Sequence, residues 1–298
     1  MRKYLLITFV LLLIIEVQAQ HNYPSYIRNR VLYKESKQVL DFVGKITYDM
    51  KFRVTDDDTS LIKTERMELL YNDSISVFQN VRKGIKDSVL NNSFEQNQKL
   101  SIPSELSLLN ENLGLTSLLI LKNKNNVLVQ DNYSHYLETF DKLLLYEEKV
   151  DLNWELTKDT MHILNYVCQK AMVNYAGRNW IAWFAPQIPL FDGPYKFTGL
   201  PGLILKINDT ENRWQFDCIG IENVERKIVL MGANDRKKKT VSKQEFFKTR
   251  KNYLANQVFY DEKNFDFMMI DNPDLKNKMD KFYRDRNKRL NHLEKDVL

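Results

Sequence analysis

Residues 45–55 alternate between apolar and polar positions. Ile46, Tyr48, Met50 and Phe52 fall on one side and mostly polar residues on the other, the period of a half-buried strand. Asp56-Asp57-Asp58-Thr59 reads as a turn. Residues 64–79 continue as strand through Met67, Leu69, Tyr71, Ile75 and Val77, which makes an antiparallel hairpin the expectation. Residues 20–43 before it form a polar lead-in, with a short helix expected over 28–43. Residues 80–112 are rich in Asn, Ser and Lys with weak periodicity and read as an insertion of loops and a short helix.

Strand signals return at residues 127–129, 136–140, 143–148, 154–156, 161–173, 179–184, 203–207, 213–221 and 227–231. Spacings of about ten residues with polar turns predict a meandering antiparallel sheet, because parallel neighbours need crossovers of a dozen residues or more. The period then changes to that of helices. Residues 242–257 place Phe246, Phe247 and Leu254 on one side behind an N-cap candidate, Ser242. Residues 274–295 space Leu275, Met279, Phe282, Arg286 and Leu290 about one turn apart. The expected fold class is α+β, predominantly β: a curved, half-barrel-like antiparallel sheet with C-terminal helices. One domain is expected over residues 20–298, with the polar insertion at 80–112.

Composition narrows this without changing it. The 298 residues are 43% hydrophobic and 28% charged, which supports a sizeable core and excludes collagen-like or wholly disordered chains. A net charge of +5 from 44 Lys+Arg and 39 Asp+Glu is too small to imply a nucleic-acid partner. The N-terminus bears on location. Arg2 and Lys3 precede an apolar run at 4–15, and Val17-Gln18-Ala19 supplies a small-residue cleavage site. The run is shorter than the roughly 20 residues a membrane span needs, so residues 1–19 are expected to be a cleavable signal peptide. No Cys lies near the cut, which argues against a lipoprotein, and no later stretch is apolar enough to span. The mature chain is expected in the periplasm, at the cell surface or outside the cell. In such a compartment Cys168 and Cys218 permit one disulfide; two buried thiols acting as small apolar residues are the competing reading.

The chain has only 9 Gly and 7 Pro. Yet Pro186, Pro189, Pro194, Pro201, Gly193, Gly199 and Gly202 all fall within 186–202, where uniform scattering would put about one. Pro186 ends a strand, since proline cannot donate to a sheet ladder. Leu200-Pro201-Gly202-Leu203 fits a type II turn, with Gly199, Pro201 and Gly202 as turn residues. The segment is a rigid connection between two strands, and it carries Phe184, Phe191, Tyr195 and Phe197 beside Arg178 and Lys196. These six form the candidate binding rim over a cavity or partner surface. A packed loop that closes one end of the core has the same pattern.

The string Gly199-Leu200-Pro201-Gly202-Leu203-Ile204 resembles the signature of the GLPGLI family. The likeness extends to Tyr166-Val167-Cys168-Gln169-Lys170-Ala171, Gly177-Arg178, Ala182-Trp183-Phe184, Ile188-Pro189 and Asp192-Gly193-Pro194-Tyr195-Lys196-Phe197, so it covers roughly 152–222. Asn165 departs from it, standing where a Gly is usual. The resemblance implies an exported bacterial protein without an assigned biochemical role, and it carries over no catalytic residue. The strand pattern is also similar to the curved sheets of lipoprotein carriers of the LolA and LolB type.

Catalytic signatures are sparse. His21, His135, His162 and His292 are scattered outside any metal-ligand spacing, and neither a nucleophile elbow nor a phosphate or dinucleotide loop occurs. Cys168 and His162, if on one strand, would lie about 20 Å apart. No catalytic residue, metal or cofactor is expected. The leading functional expectation is non-catalytic binding of an apolar ligand or an envelope protein partner in the concavity of the sheet. A secreted hydrolase with an unrecognised site is one alternative. A structural or assembly factor without a small ligand is the other.

Overall fold

The computed structural model describes residues 38–53, 62–82, 84–85, 118–131, 143–230 and 238–255, with 277, 278, 281, 293 and 294 further on. They form one sheet of twelve strands: β1 (Gln38–Arg53), β2 (Ile62–Tyr71), β3 (Ser76–Asn80), β4 (Leu118–Asn123), β5 (Asn126–Asp131), β6 (Leu143–Lys149), β7 (Glu155–Ile163), β8 (Tyr166–Tyr175), β9 (Arg178–Ala185), β10 (Leu203–Asp209), β11 (Trp214–Leu230) and β12 (Lys238–Thr240). One helix, α1 (Lys243–Ala255), follows. The strand order is β12-β6-β5-β4-β3-β2-β1-β11-β10-β9-β8-β7. Every pairing is antiparallel except β12 with β6. The predominantly β, antiparallel expectation therefore agrees. Of the second expected helix only 277, 278 and 281, all helical, and 293 and 294 are described. No described helix is long and apolar enough to cross a membrane.

β1 keeps the alternation read from the sequence: Ile46, Tyr48, Met50 and Phe52 are buried, while Asp49 and Lys51 reach charged partners Arg66 and Asp217 outside. It also begins earlier than expected. Residues 38–43 are strand rather than the end of a helix, because Phe42 packs with Leu70, Val77, Leu119 and Ile228 on the sheet's other face. Residues 28–37, the turn at 56–59 and the strand at 136–140 lie outside the described residues.

Four expected segments are parsed differently. Residues 64–79 break into β2 and β3, because Asn72 Oδ1 accepts the N–H groups of Ser74 and Ile75, each at 2.9 Å, and turns the chain. Residues 161–173 are a hairpin, not one strand. Ile163 pairs with Tyr166, and Leu164 occupies a left-handed φ of 54°, so an apolar residue hides the turn. The separate strands at 213–221 and 227–231 are one, β11, bulged along β1. β4 escapes periodicity altogether, since Leu119, Ile120 and Lys122 are all buried and no polar face alternates with them.

The sheet rolls. β6 and β8 stand nine places apart, about 43 Å in a flat sheet. Yet Lys243, at the start of α1, bonds Glu148 of β6 at 2.9 Å and lies 6.0 Å from the ring centroid of Tyr175 in β8. Phe78 of β3 likewise meets Phe216 of β11 at 6.2 Å. The roll stays open, with β7 and β12 as its edges. β7 is bulged between Leu156 and Thr160, and Lys170 holds Asp159 at 2.9 Å, devices that blunt an exposed strand edge. Inside the roll is one large apolar core, to which α1 adds Phe246 and Phe247 against Tyr146. Ser242 caps α1 by accepting the Glu245 N–H at 3.1 Å.

Candidate functional site

Residues 186–202, between β9 and β10, fold back into the roll. Ile188 N–H donates to Ala185 O at 3.1 Å, Gly199 N–H to Phe191 O at 3.2 Å and Ile204 N–H to Asp192 O at 3.0 Å. Phe197 N–H reaches Pro194 O at 3.1 Å, closing a turn that holds Tyr195 at φ 54°. A non-glycine residue in that region costs of order 1–3 kcal/mol.

The expected type II turn at 200–203 is replaced by a tighter one. Gly202 N–H donates to Leu200 O at 2.8 Å, a three-residue turn around Pro201, and Leu203 N–H donates to Ile188 O at 3.1 Å. Gly202 has φ 154°, far from the roughly 80° of a type II turn. A Cβ there would lie 2.2 Å from Ala185 O, so the glycine also lets two backbones approach.

Of the six candidate rim residues, five lie inside the protein. Phe184, Phe197 and Lys196 are fully buried, and Tyr195 and Arg178 nearly so; Phe191 alone is exposed, at 62%. The roll needs filling from within, and this loop fills it. Phe197 packs against Trp154, Tyr175, Trp180 and Tyr195 at centroid separations of 6.3, 5.8, 4.7 and 6.2 Å.

Where the two flanks of the sheet approach, charges converge. Lys196 Nζ donates to Tyr146 OH at 2.6 Å and to the carboxylates of Glu148 and Glu294. Lys243 bridges the same two carboxylates, at 2.9 Å to Glu148 and 2.8 Å to Glu294. Tyr195 OH donates to Glu294, and the Lys196 ammonium lies 5.0 and 5.1 Å from the ring centroids of Tyr146 and Tyr195. Arg178 extends the cluster: its Nη1 holds Asp209 at 2.7 Å and its Nε donates to Leu293 O at 3.0 Å. Burial alone would raise the Glu294 carboxyl, but Lys196 and Lys243 outweigh it and hold it below its ordinary value. Burial and then Glu294 push the Tyr195 phenol well up.

A second buried group anchors the loop at its other end. Lys122 Nζ donates to Asp192 Oδ1 at 2.5 Å and to Gly193 O at 2.7 Å, and Ser76 Oγ donates to Asp192 Oδ2 at 2.5 Å. Burial lowers Lys122 despite Asp192. The arrangement ties the loop to β3 and β4. Sequence reasoning missed Lys122 and Glu148, though each shares a strand parity with a core residue, Ile120 and Tyr146 respectively. A charge at an inward position was the available signal.

Cys168 and Cys218 are both free and buried, so the permitted disulfide is not formed. Burial raises each thiol to about 11. Cys168 and His162 sit on facing strands of a hairpin rather than on one strand. Cys168 pairs with Met161 and His162 with Val167, so the two side chains point to opposite faces. Among the described residues, no three His, Cys, Asp or Glu side chains are grouped to hold a metal ion.

Residues 176–206 match the family described as "Protein of unknown function (Porph_ging)". This segment carries the GLPGLI-type signature. The GLPGLI segment thus supplies Arg178, Tyr195 and Lys196 to the charged seam and Asp192 to the loop anchor. No curated protein matches the sequence. Two solved structures of PNGF-II, in the P21 and C2 space groups, are similar at 14% and 13% identity, with TM-scores of 0.45 and 0.46 over 70% of this chain. The chain spans about a third of PNGF-II, 34% and 32% of the two chains. Likeness at this level assigns neither a fold family nor an activity.

Proposed function

We propose that this is an exported, non-catalytic envelope protein that acts by contact with another protein, and that its GLPGLI segment is an internal clamp. The carrying observation is that Tyr195, Lys196, Phe197 and Leu200 occupy the inside of the roll, none more than 5% exposed. An apolar ligand in the concavity would have to displace packed aromatics and strip a buried ammonium of its partners. Protein contact at the outer surface, where Phe191 projects, avoids both costs. Export is supported by Arg2, Lys3, the apolar run at 4–15 and Val17-Gln18-Ala19. The hydrolase alternative asks for Arg178 beside a carboxylate and a histidine. Arg178 has Asp209, but His162, the only histidine among the described residues, lies exposed on β7.

The test is native mass spectrometry of the protein purified from its source, followed by analysis of what denaturation releases. The expected species is the mature chain from Gln20, alone or with a protein partner. Release of a stoichiometric apolar small molecule would overturn the reading.

A further inference from the structure

The charged seam holds a short piece of chain in three ways. The Leu293 carbonyl accepts the Arg178 Nε–H at 3.0 Å. The Leu293 side chain packs on the core. The Glu294 carboxylate, 2% exposed as a residue, is gripped by Lys196, Lys243 and Tyr195. Main chain, apolar side chain and charge are each recognised, by groups from β9, the GLPGLI segment and α1. These elements are built without the C-terminal residues, and Tyr195 is held at a strained φ of 54° while donating to Glu294. The turn closed by Phe197 N–H on Pro194 O sets this backbone, and it presents the Tyr195 hydroxyl to the carboxylate.

We propose that the seam is a binding site for an apolar–acidic peptide unit, Leu-Glu in this chain, and that residues 293–294 are its resident occupant. A partner's segment of the same chemistry would bind in exchange for them. Its carboxylate would take the place of Glu294 between Lys196 and Lys243, so that neither ammonium is left short of a partner. The clamp is carboxylate-specific. Two ammonium groups and a phenol converge on Glu294, and Glu148 alone would leave them one negative charge short. The inference rests on reading the GLPGLI segment as an internal clamp. Release of an apolar small molecule would remove that reading and leave the titration below to be judged by itself.

The experiment uses the full chain with Glu294→Gln, which keeps the socket and weakens its occupant. The probe is a fluorescently labelled synthetic peptide of residues 286–298. Anisotropy titration should show the variant binding this peptide at least about tenfold more tightly than wild type, which must first release its own segment. A peptide carrying Gln in place of Glu294 should bind the variant about tenfold more weakly or worse, since it cannot engage both ammonium groups. Equal affinity of wild type and a folded variant, or indifference to the carboxylate, overturns the proposal. Should Glu294→Gln fail to fold, full-length Leu293→Ala replaces it with the same expectations. Unchanged hydrogen exchange at 293–298 of wild type under saturating peptide would also overturn it.

Discussion

Lys196 and Glu294 stand 98 positions apart in sequence and meet as a fully buried ion pair in the seam of the rolled sheet. The lysine comes from the GLPGLI segment and the glutamate from the far end of the chain. Lys196→Met should therefore do more than remove one contact. It leaves Glu148 and Glu294 sharing only Lys243 in a buried place, and loss of one partner of such a pair costs about 3–5 kcal/mol. Urea denaturation checks this, and a double-mutant cycle with Glu294→Leu should give a coupling of about 1–3 kcal/mol. Coupling near zero would mean the two groups act independently.

The aromatic residues of the loop should separate into two classes. Phe197→Ala opens a cavity among Trp154, Tyr175, Trp180 and Tyr195 and should cost about 3–5 kcal/mol. Phe191→Ala, at a 62% exposed site, should shift stability by no more than about 0.5 kcal/mol. The double change of Phe191 and Tyr195 to Ala should lose stability through Tyr195 alone. Thermal melts of the three variants decide it, and a Phe191→Ala protein as unstable as Phe197→Ala would contradict the burial pattern.

This contrast marks what the sequence could reveal. Period-2 alternation exposed β1, and the crowding of Gly and Pro exposed the loop, because backbone demands leave local marks. The direction in which Tyr195 and Phe197 face left none: an aromatic at a turn looks the same whether the turn folds outward or inward. The roll decided it, and the roll depends on pairings such as β1 with β11, far apart along the chain. Glu148, Lys243 and Glu294 share no motif for the same reason. Their common feature is an inward position, visible for Glu148 from the parity it shares with Tyr146 and hidden for Glu294 near the chain terminus.

Gly202 and Gly199 should respond differently to alanine. Gly202→Ala places a Cβ 2.2 Å from Ala185 O and 2.7 Å from its carbonyl carbon, with φ at 154°, so backbone must move. A loss well above the ordinary 1 kcal/mol or so of a surface change is expected. Gly199→Ala meets nothing nearer than Trp154 Nε1 at 4.0 Å, so only its φ of 89° is strained, worth about 1–2 kcal/mol. Chemical denaturation of both variants should rank Gly202→Ala as the more damaging. The reverse order would place the tight backbone approach elsewhere.

The two thiols should be silent in the folded protein. Only a thiolate is nucleophilic, and burial lifts both Cys168 and Cys218 to about 11. Ellman's reagent at pH 8 should find essentially no reactive thiol in the native chain and two after unfolding in guanidinium. A chain that yields none after unfolding without reductant would be bridged, and the free-thiol structure would not describe it.

Acid should loosen the seam with a definite sign. The folded-state value of Glu294 lies below its ordinary one, because Lys196 and Lys243 together outweigh burial. Such a group contributes stability above its unfolded value, about 4.3, and loses it as pH falls through the folded value. Lys243 is raised by Glu294 and Glu148 against the opposing effect of burial, so its contribution is complete below the unfolded lysine value, about 10.4, and fades as pH rises through the folded one. Glu68 runs the other way. Burial raises it despite Arg226 and Gln79, so its protonation below the folded value favours the native state. The unfolding free energy of wild type over Glu294→Gln should therefore shrink between pH 7 and about 3, while that of wild type over Glu68→Gln should grow. Urea titrations at each pH give both differences, and a Glu294→Gln curve parallel to wild type would mean that this carboxylate does not hold the seam through its charge.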